Sequence, residues 1–85
     1  MDMKTLRALL EAGAVKKILI VANGATIHAE IQTAKFKESV QTSKGSIKTW
    51  RTTDSTIKWL RSLGIGRAEV DFSCWQPDQR ALKLL

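Results

Sequence analysis

Apolar and polar positions along the chain change period several times, and each change marks an element. Over residues 3–12, MKTLRALLEA, Met3, Leu6, Leu9 and Leu10 recur at helical spacing. Asp2 stands where a capping side chain is wanted and Gly13 where a helix stops, so a short helix is predicted here. Residues 15–22, VKKILIVA, form a short run rich in β-branched residues that ends at Asn23-Gly24. Such a run predicts a central strand. Asn-Gly suits the two positive-φ positions of a type I′ turn, so a hairpin is predicted. Residues 25–32, ATIHAEIQ, then alternate, with Ala25, Ile27, Ala29 and Ile31 on one side and Thr26, His28, Glu30 and Gln32 on the other.

The second half reads less evenly. Residues 36–42, FKESVQT, make a weaker strand, Ser43-Lys44-Gly45-Ser46 a turn, and residues 47–51, IKTWR, a further strand. Ile47 and Trp50 have opposite parity, which requires a bulge or leaves one of them exposed. Thr52 or Thr53 caps a second helix, with Asp54 in its first turn to complement the dipole. Ile57, Trp59, Leu60 and Leu63 cover its apolar arc, and Lys58 and Arg61 its opposite arc. Gly64 ends the helix and Ile65 packs back on the last turn. Residues 67–73, RAEVDFS, alternate again, with Ala68, Val70 and Phe72 expected inward and Arg67, Glu69 and Asp71 outward. Trp75 is expected to close the end of the core. The tail, residues 74–85, ends in Leu82, Leu84 and Leu85, which dock on the sheet or a partner chain, or fray.

These elements predict one α+β domain over residues 1–85, in the order α-β-β-β-β-α-β. Its N-terminal helix falls in 1–13, its sheet and second helix in 15–73, and its tail in 74–85. A curved antiparallel sheet packed on helices along one face is the expected architecture. The other sheet face is left polar, either wet or a binding surface.

Length and composition agree with this picture. Eighty-five residues, 44% hydrophobic and 26% charged, make one globular domain with a thin core. The single cysteine, Cys74, excludes an intramolecular disulfide and fits a reducing compartment. It is expected to be a small buried filler instead of a reactive thiol. The N-terminus has no long apolar stretch behind its basic residues, and the run Ile18 to Ala22 is too short to span a bilayer. A cytoplasmic protein with no membrane partner is expected.

Charge adds one further feature. The net charge is +6, and +5 of it lies in residues 35–61. A focused positive field favours polyanions or acidic protein surfaces, although a charge of this size also serves solubility alone. Lys35, Lys37, Lys44, Lys48, Arg51, Lys58 and Arg61 come from two predicted strands, a turn and a helix. Gathered on one side they would track phosphates, and an exposed Trp50 would add a stacking surface for single strands. Lysine is also the default solvated residue, and no helix-turn-helix, ribbon-helix-helix or RNP-like pattern is readable.

Catalytic chemistry finds little support. His28 is the only histidine, with no cysteine or second histidine at ligand spacing, so no metal site is expected. It is read as an exposed sheet residue. No nucleophile can be paired with a base other than His28. The glycines mark separate turns, and neither a phosphate loop nor GxGxxG occurs. Glu69 and Asp71 share a strand face at a Cα spacing of about 7 Å, but Arg67 stands beside them, which suggests a compensated solvated face. The expectation is a protein that is not an enzyme, with no cofactor and no small-molecule substrate.

The stretches MDMKTLRALLEAGAVKKILIVANG and KTWRTTDSTIKWLRSLGIGRAEVDFSCWQP together resemble a small family of plasmid-borne, ParC-like, partition-associated proteins. The residues that carry the resemblance are Ala12–Lys17, then Thr52, Asp54, Trp59, Leu60, Arg61, Leu63, Gly64 and Ile65. The likeness implies a plasmid-maintenance accessory protein that acts by binding. Its implied partners are a partition ATPase, a centromere-binding protein or DNA, and it supplies no catalytic residues.

Two functional readings follow. In the first, the basic middle binds DNA or an acidic partner protein, with Lys44, Lys48, Trp50, Arg51, Lys58 and Arg61 as contact residues. In the second, the chain is a protein-interaction or homodimerisation module without nucleic-acid binding, using a sheet edge or the Leu82–Leu85 tail.

Overall fold

The computed structural model describes residues 1–75. It contains six elements: α1 (Met3–Glu11), β1 (Val15–Gly24), β2 (Thr26–Thr33), β3 (Lys37–Ser39), α2 (Thr53–Ser62) and β4 (Glu69–Trp75). The strands form one sheet in the order β3-β2-β1-β4. The protein is an α+β domain, and its helices both contribute to a single apolar core on one sheet face. The expectations for the Leu82–Leu85 tail lie outside the described residues.

Both helices are delimited by local chemistry that the sequence advertises. The Asp2 carboxylate accepts a hydrogen bond from the Thr5 N–H at 2.8 Å, and the Thr52 hydroxyl accepts one from the Ser55 N–H at 3.1 Å. Each cap satisfies a donor that the first turn would leave unpaired. The C-termini close in the same way as each other. Gly13 N–H donates to Leu10 O and Ala14 N–H to Leu9 O; Gly64 N–H donates to Arg61 O and Ile65 N–H to Leu60 O. This is the paired bonding of the Schellman motif, which needs a left-handed residue. Gly13 and Gly64 supply it at φ +67° and +86°.

β1 and β2 form the antiparallel hairpin, with Ile18 opposite Ile31, Ile20 opposite Ala29 and Ala22 opposite Ile27. All six face the helices and are buried, and Ile27, Ala29 and Ile31 are 0% exposed. The turn differs from expectation by one position. Asn23 pairs with Thr26, so the loop is Gly24-Ala25, and Gly24 alone has positive φ. That is the requirement of a II′ turn, with glycine first, in place of the predicted I′ turn at Asn23-Gly24.

Beyond β2 the predicted strands 36–42 and 47–51 become one interrupted edge. β3 pairs with β2 only from Lys37 to Ser39, and Val40 N–H then donates to Ala29 O at 2.9 Å. The chain leaves the sheet through a turn in which Thr42 N–H donates to Ser46 O. It returns at Lys48, whose N–H donates to Val40 O, and at Trp50, which exchanges two 2.8 Å hydrogen bonds with Ile27. Residues 47–51 thus contribute isolated bridges at Ile47 and Trp50, not a continuous strand. The excursion also resolves the parity conflict, since Ile47 is 53% exposed while Trp50 packs on the core.

The sheet is mixed, where an antiparallel one was expected. β4 runs parallel to β1, with Leu19 beside Glu69, Ile20 beside Val70 and Val21 beside Asp71. The reason is topological. β4 joins the edge opposite β3, so α2 and its flanking loops carry the chain across the sheet, as a parallel connection requires. Two further expectations fail on β4. Ala68, just ahead of β4, and Val70 and Phe72 within it are exposed, with Phe72 at 69%, because among the described residues β4 is an edge strand that the helices do not cover. Cys74 is exposed for the same reason and is not a core filler. A register shift between Asp71 and Cys74 turns Trp75 back to the core, where it is half-buried as expected.

Candidate nucleic-acid or acidic-partner interface

The sheet face away from the helices does not hold the basic excess. It carries Lys17, His28, Glu30, Lys37, Glu69 and Asp71 around the half-buried Leu19 and Val21. Lys17 pairs with Glu69 at 2.9 Å and Lys37 with Glu30 at 3.5 Å. The His28 ring Nε2 lies 3.0 Å from the same Glu30 carboxylate, which leaves His28 half-buried and not exposed as expected. Asp71 accepts hydrogen bonds from the Ser73 hydroxyl at 2.7 Å and the Ser73 N–H at 3.0 Å. These bonds hold the Asp71 carboxyl below the usual aspartate range. The face is compensated, with Lys17 as the cation on Glu69 where Arg67 was expected.

A cationic aromatic cluster forms instead on the helix side, at the rim between α2 and the interrupted edge. Trp50 is anchored by its backbone exchange with Ile27, and Trp59 projects from α2 towards it. Their ring centroids are 5.0 Å apart at an interplanar angle of 50°. Both are half-buried against the core. The Lys48 ammonium sits over the pair, 5.3 Å from the Trp50 centroid and 6.0 Å from that of Trp59. Tilted aromatic pairs and a cation over a ring face are both attractive, each by about 1 kcal/mol. Trp59 is the member that sequence reasoning assigned to the core alone. Its signal was the alternation of Trp50 and Trp59 with cations, which periodicity could not place in space.

The other predicted contacts distribute around this cluster unequally. Arg51 follows Trp50 directly and is exposed, and Lys44 is exposed in the excursion near Gly45. Lys58 lies on the outer face of α2 and forms an ion pair with Asp54 at 3.2 Å. Arg61 is about 200° around the helix from Trp59 by helical pitch, so it belongs to another flank. There it lines a groove of about 190 Å³ with Ile20, Ile57, Leu60, Ile65 and Val70, between α2 and β4. Ile57, expected on the buried arc, is 47% exposed at this groove, and the buried position is taken by Thr56. Thr56 is satisfied there because its hydroxyl donates to Thr52 O at 3.0 Å.

The six predicted residues therefore fall into a cluster of Lys48, Trp50 and the adjoining Arg51, a more distant loop cation in Lys44, a paired Lys58 and a separate Arg61. Among the described residues, no three His, Cys, Asp or Glu side chains gather to hold a metal ion. No helix among them is long and apolar enough to cross a membrane. The chain matches no protein-family profile, no curated protein and no solved structure.

Proposed function

We propose that this chain is a non-catalytic, cytoplasmic accessory protein of plasmid maintenance that binds DNA through the rim formed by Lys48, Trp50, Trp59 and Arg51, with Lys44 in the neighbouring turn as a more distant contact. The observation that carries the reading is the Lys48 ammonium held over two tryptophan rings, 5.3 and 6.0 Å from their centroids. A cation held over an aromatic pair places a phosphate contact beside ring surface that a base can meet. The resemblance to partition-associated proteins supplies the biological setting, and on the opposite sheet face Lys17 and Lys37 are already paired with Glu69 and Glu30.

The test is a titration of fluorescently labelled duplex and single-stranded DNA at low and moderate salt, with tryptophan emission followed in parallel. Lys48→Ala and Arg51→Ala are each expected to flatten the log–log salt slope by about one. Arg61→Ala is expected to leave the slope unchanged, because Arg61 lies on the other flank of α2. Quenching confined to single strands would assign them as the preferred form. Absence of binding at low salt overturns the DNA reading. The rim would then be assigned to an acidic protein surface, to be sought by pull-down with a partition ATPase or a centromere-binding protein.

A further inference from the structure

A second surface lies at the opposite end of the sheet and is independent of the basic rim. β4 alternates like a strand with one buried face, yet Glu69 to Cys74 are all exposed. Among the described residues β4 is bonded to β1 alone, so its outer edge presents backbone groups to solvent. Val70 and Phe72 stand exposed on the helix side of that edge, 45% and 69% accessible, beside the exposed Ile57. Natural edge strands normally carry bulges, charges or cover that discourage pairing. β4 carries a register shift beyond Asp71 and charges of both signs, and the order of those charges is self-complementary.

We propose that β4 pairs antiparallel with β4 of a second copy of this chain, across a two-fold axis centred on Glu69. Such an axis keeps the helices of both copies on one side of a continuous sheet. Extended two residues ahead of the start of β4, the pairing sets Arg67 of each copy opposite Asp71 of the other, giving two cross-strand pairs of opposite charge. Each Glu69 at the axis is already neutralised by its own Lys17 at 2.9 Å. On the helix side, Ala68 meets Val70, and Phe72 of one copy meets Gly66 of the other. Gly66 has open space where a side chain would stand, and it borders the apolar groove of about 190 Å³ lined by Ile57, Ile65 and Val70. A phenyl ring laid over that glycine enters the groove and leaves water. Among neighbouring registers, centring on Val70 sets Glu69 against Asp71 twice, centring on Asp71 sets it against itself, and centring on Ala68 sets Arg67 against a Glu69 that Lys17 already holds and leaves Asp71 opposite Ile65.

Sedimentation equilibrium over a wide range of protein concentration tests this with the full chain. The expected mass at high concentration is twice 9.5 kDa. Arg67→Glu and Asp71→Arg, each placing like charges opposite one another, are expected to raise the dimer dissociation constant by about tenfold or more. The double exchange Arg67→Glu with Asp71→Arg restores the opposite pairing and is expected to recover most of the loss. Phe72→Ser weakens the dimer without changing the far-UV circular dichroism of the monomer. A wild-type chain that stays monomeric overturns the proposal, as would the tail lying on this edge. A dimer indifferent to the single reversals, or one that the double exchange fails to restore, also overturns it, since another surface then joins the copies.

Discussion

β2 and β4 are written in nearly the same code and end in different environments. Both alternate apolar and polar residues over about the same length, as ATIHAEIQ and RAEVDFS. In β2 Ile27, Ala29 and Ile31 are buried, Ala25 falling instead in the exposed turn, while in β4 Val70 and Phe72 stay exposed. The difference is position in the sheet. β2 lies inside, with β1 on one side, the β3 edge on the other and α2 above it. Among the described residues β4 has one strand neighbour, and a groove lies between it and α2. Alternation therefore reports that a strand has an apolar face. Whether anything covers that face depends on neighbours contributed from elsewhere in the chain.

The largest test of this contrast is truncation at matched positions. Ile27→Ala in β2 is expected to cost about 3 kcal/mol in urea unfolding, from lost burial and an incompletely collapsed cavity. A cost below that of an ordinary surface change would show that the interior of the hairpin is not the core. Next in size is Gly24→Ala at the hairpin turn. Nothing stands within 4 Å of the added methyl, so the cost is that of φ +63° at the first position of the II′ turn, about 2 kcal/mol by the same measurement. An unchanged midpoint would mean the interior register does not depend on this turn. Val70→Ala in β4, measured in dilute protein where copies are apart, is expected to change stability by no more than about 0.5 kcal/mol. A loss like that at Ile27 would erase the contrast.

The smallest expected effect concerns pH. Hydrogen bonds from Ser73 lower the folded-state pKa of Asp71, so its contribution is present above the unfolded aspartate pKa and fades as pH falls through the lower folded value. The Ser73 amide resonance, followed by NMR through acid titration, is expected to show a midpoint below the usual aspartate range. A midpoint at or above that range would mean that the Asp71–Ser73 contact does not persist on this exposed strand.

Legibility in the sequence follows the distance over which each feature is specified. The caps at Asp2 and Thr52 and the glycine stops at Gly13 and Gly64 involve residues within one turn, and all were readable. The hairpin was readable too, with a one-residue shift at its turn, because Asn-Gly and Gly-Ala both satisfy a two-residue loop and only the cross-strand register chooses between them. Residues 36–51 were less so. Their two apparent strands share one edge of β2 because the segment from Gln41 to Ile47 leaves the sheet, and that depends on Val40 and Trp50 finding Ala29 and Ile27. The candidate site was half legible. Lys48, Trp50 and Arg51 were nominated and adjoin one another, whereas Arg61 lies on the far flank and Trp59 was left to the core.

The order and type of the elements, their caps, and the split of each strand into an apolar and a polar side are properties of short stretches of this chain. They come from backbone sterics, local hydrogen bonding and side-chain period, which act between residues a few positions apart. Partnership is of another kind. The parallel docking of β4 on β1, the exposure of Phe72 and Cys74, the cover that Lys17 gives Glu69 and the meeting of the Lys48–Trp50 stretch with Trp59 all depend on how separate elements come together. Each depends on which surfaces pack when the whole chain closes around one core, a choice that apolar burial makes collectively and that no local pattern encodes.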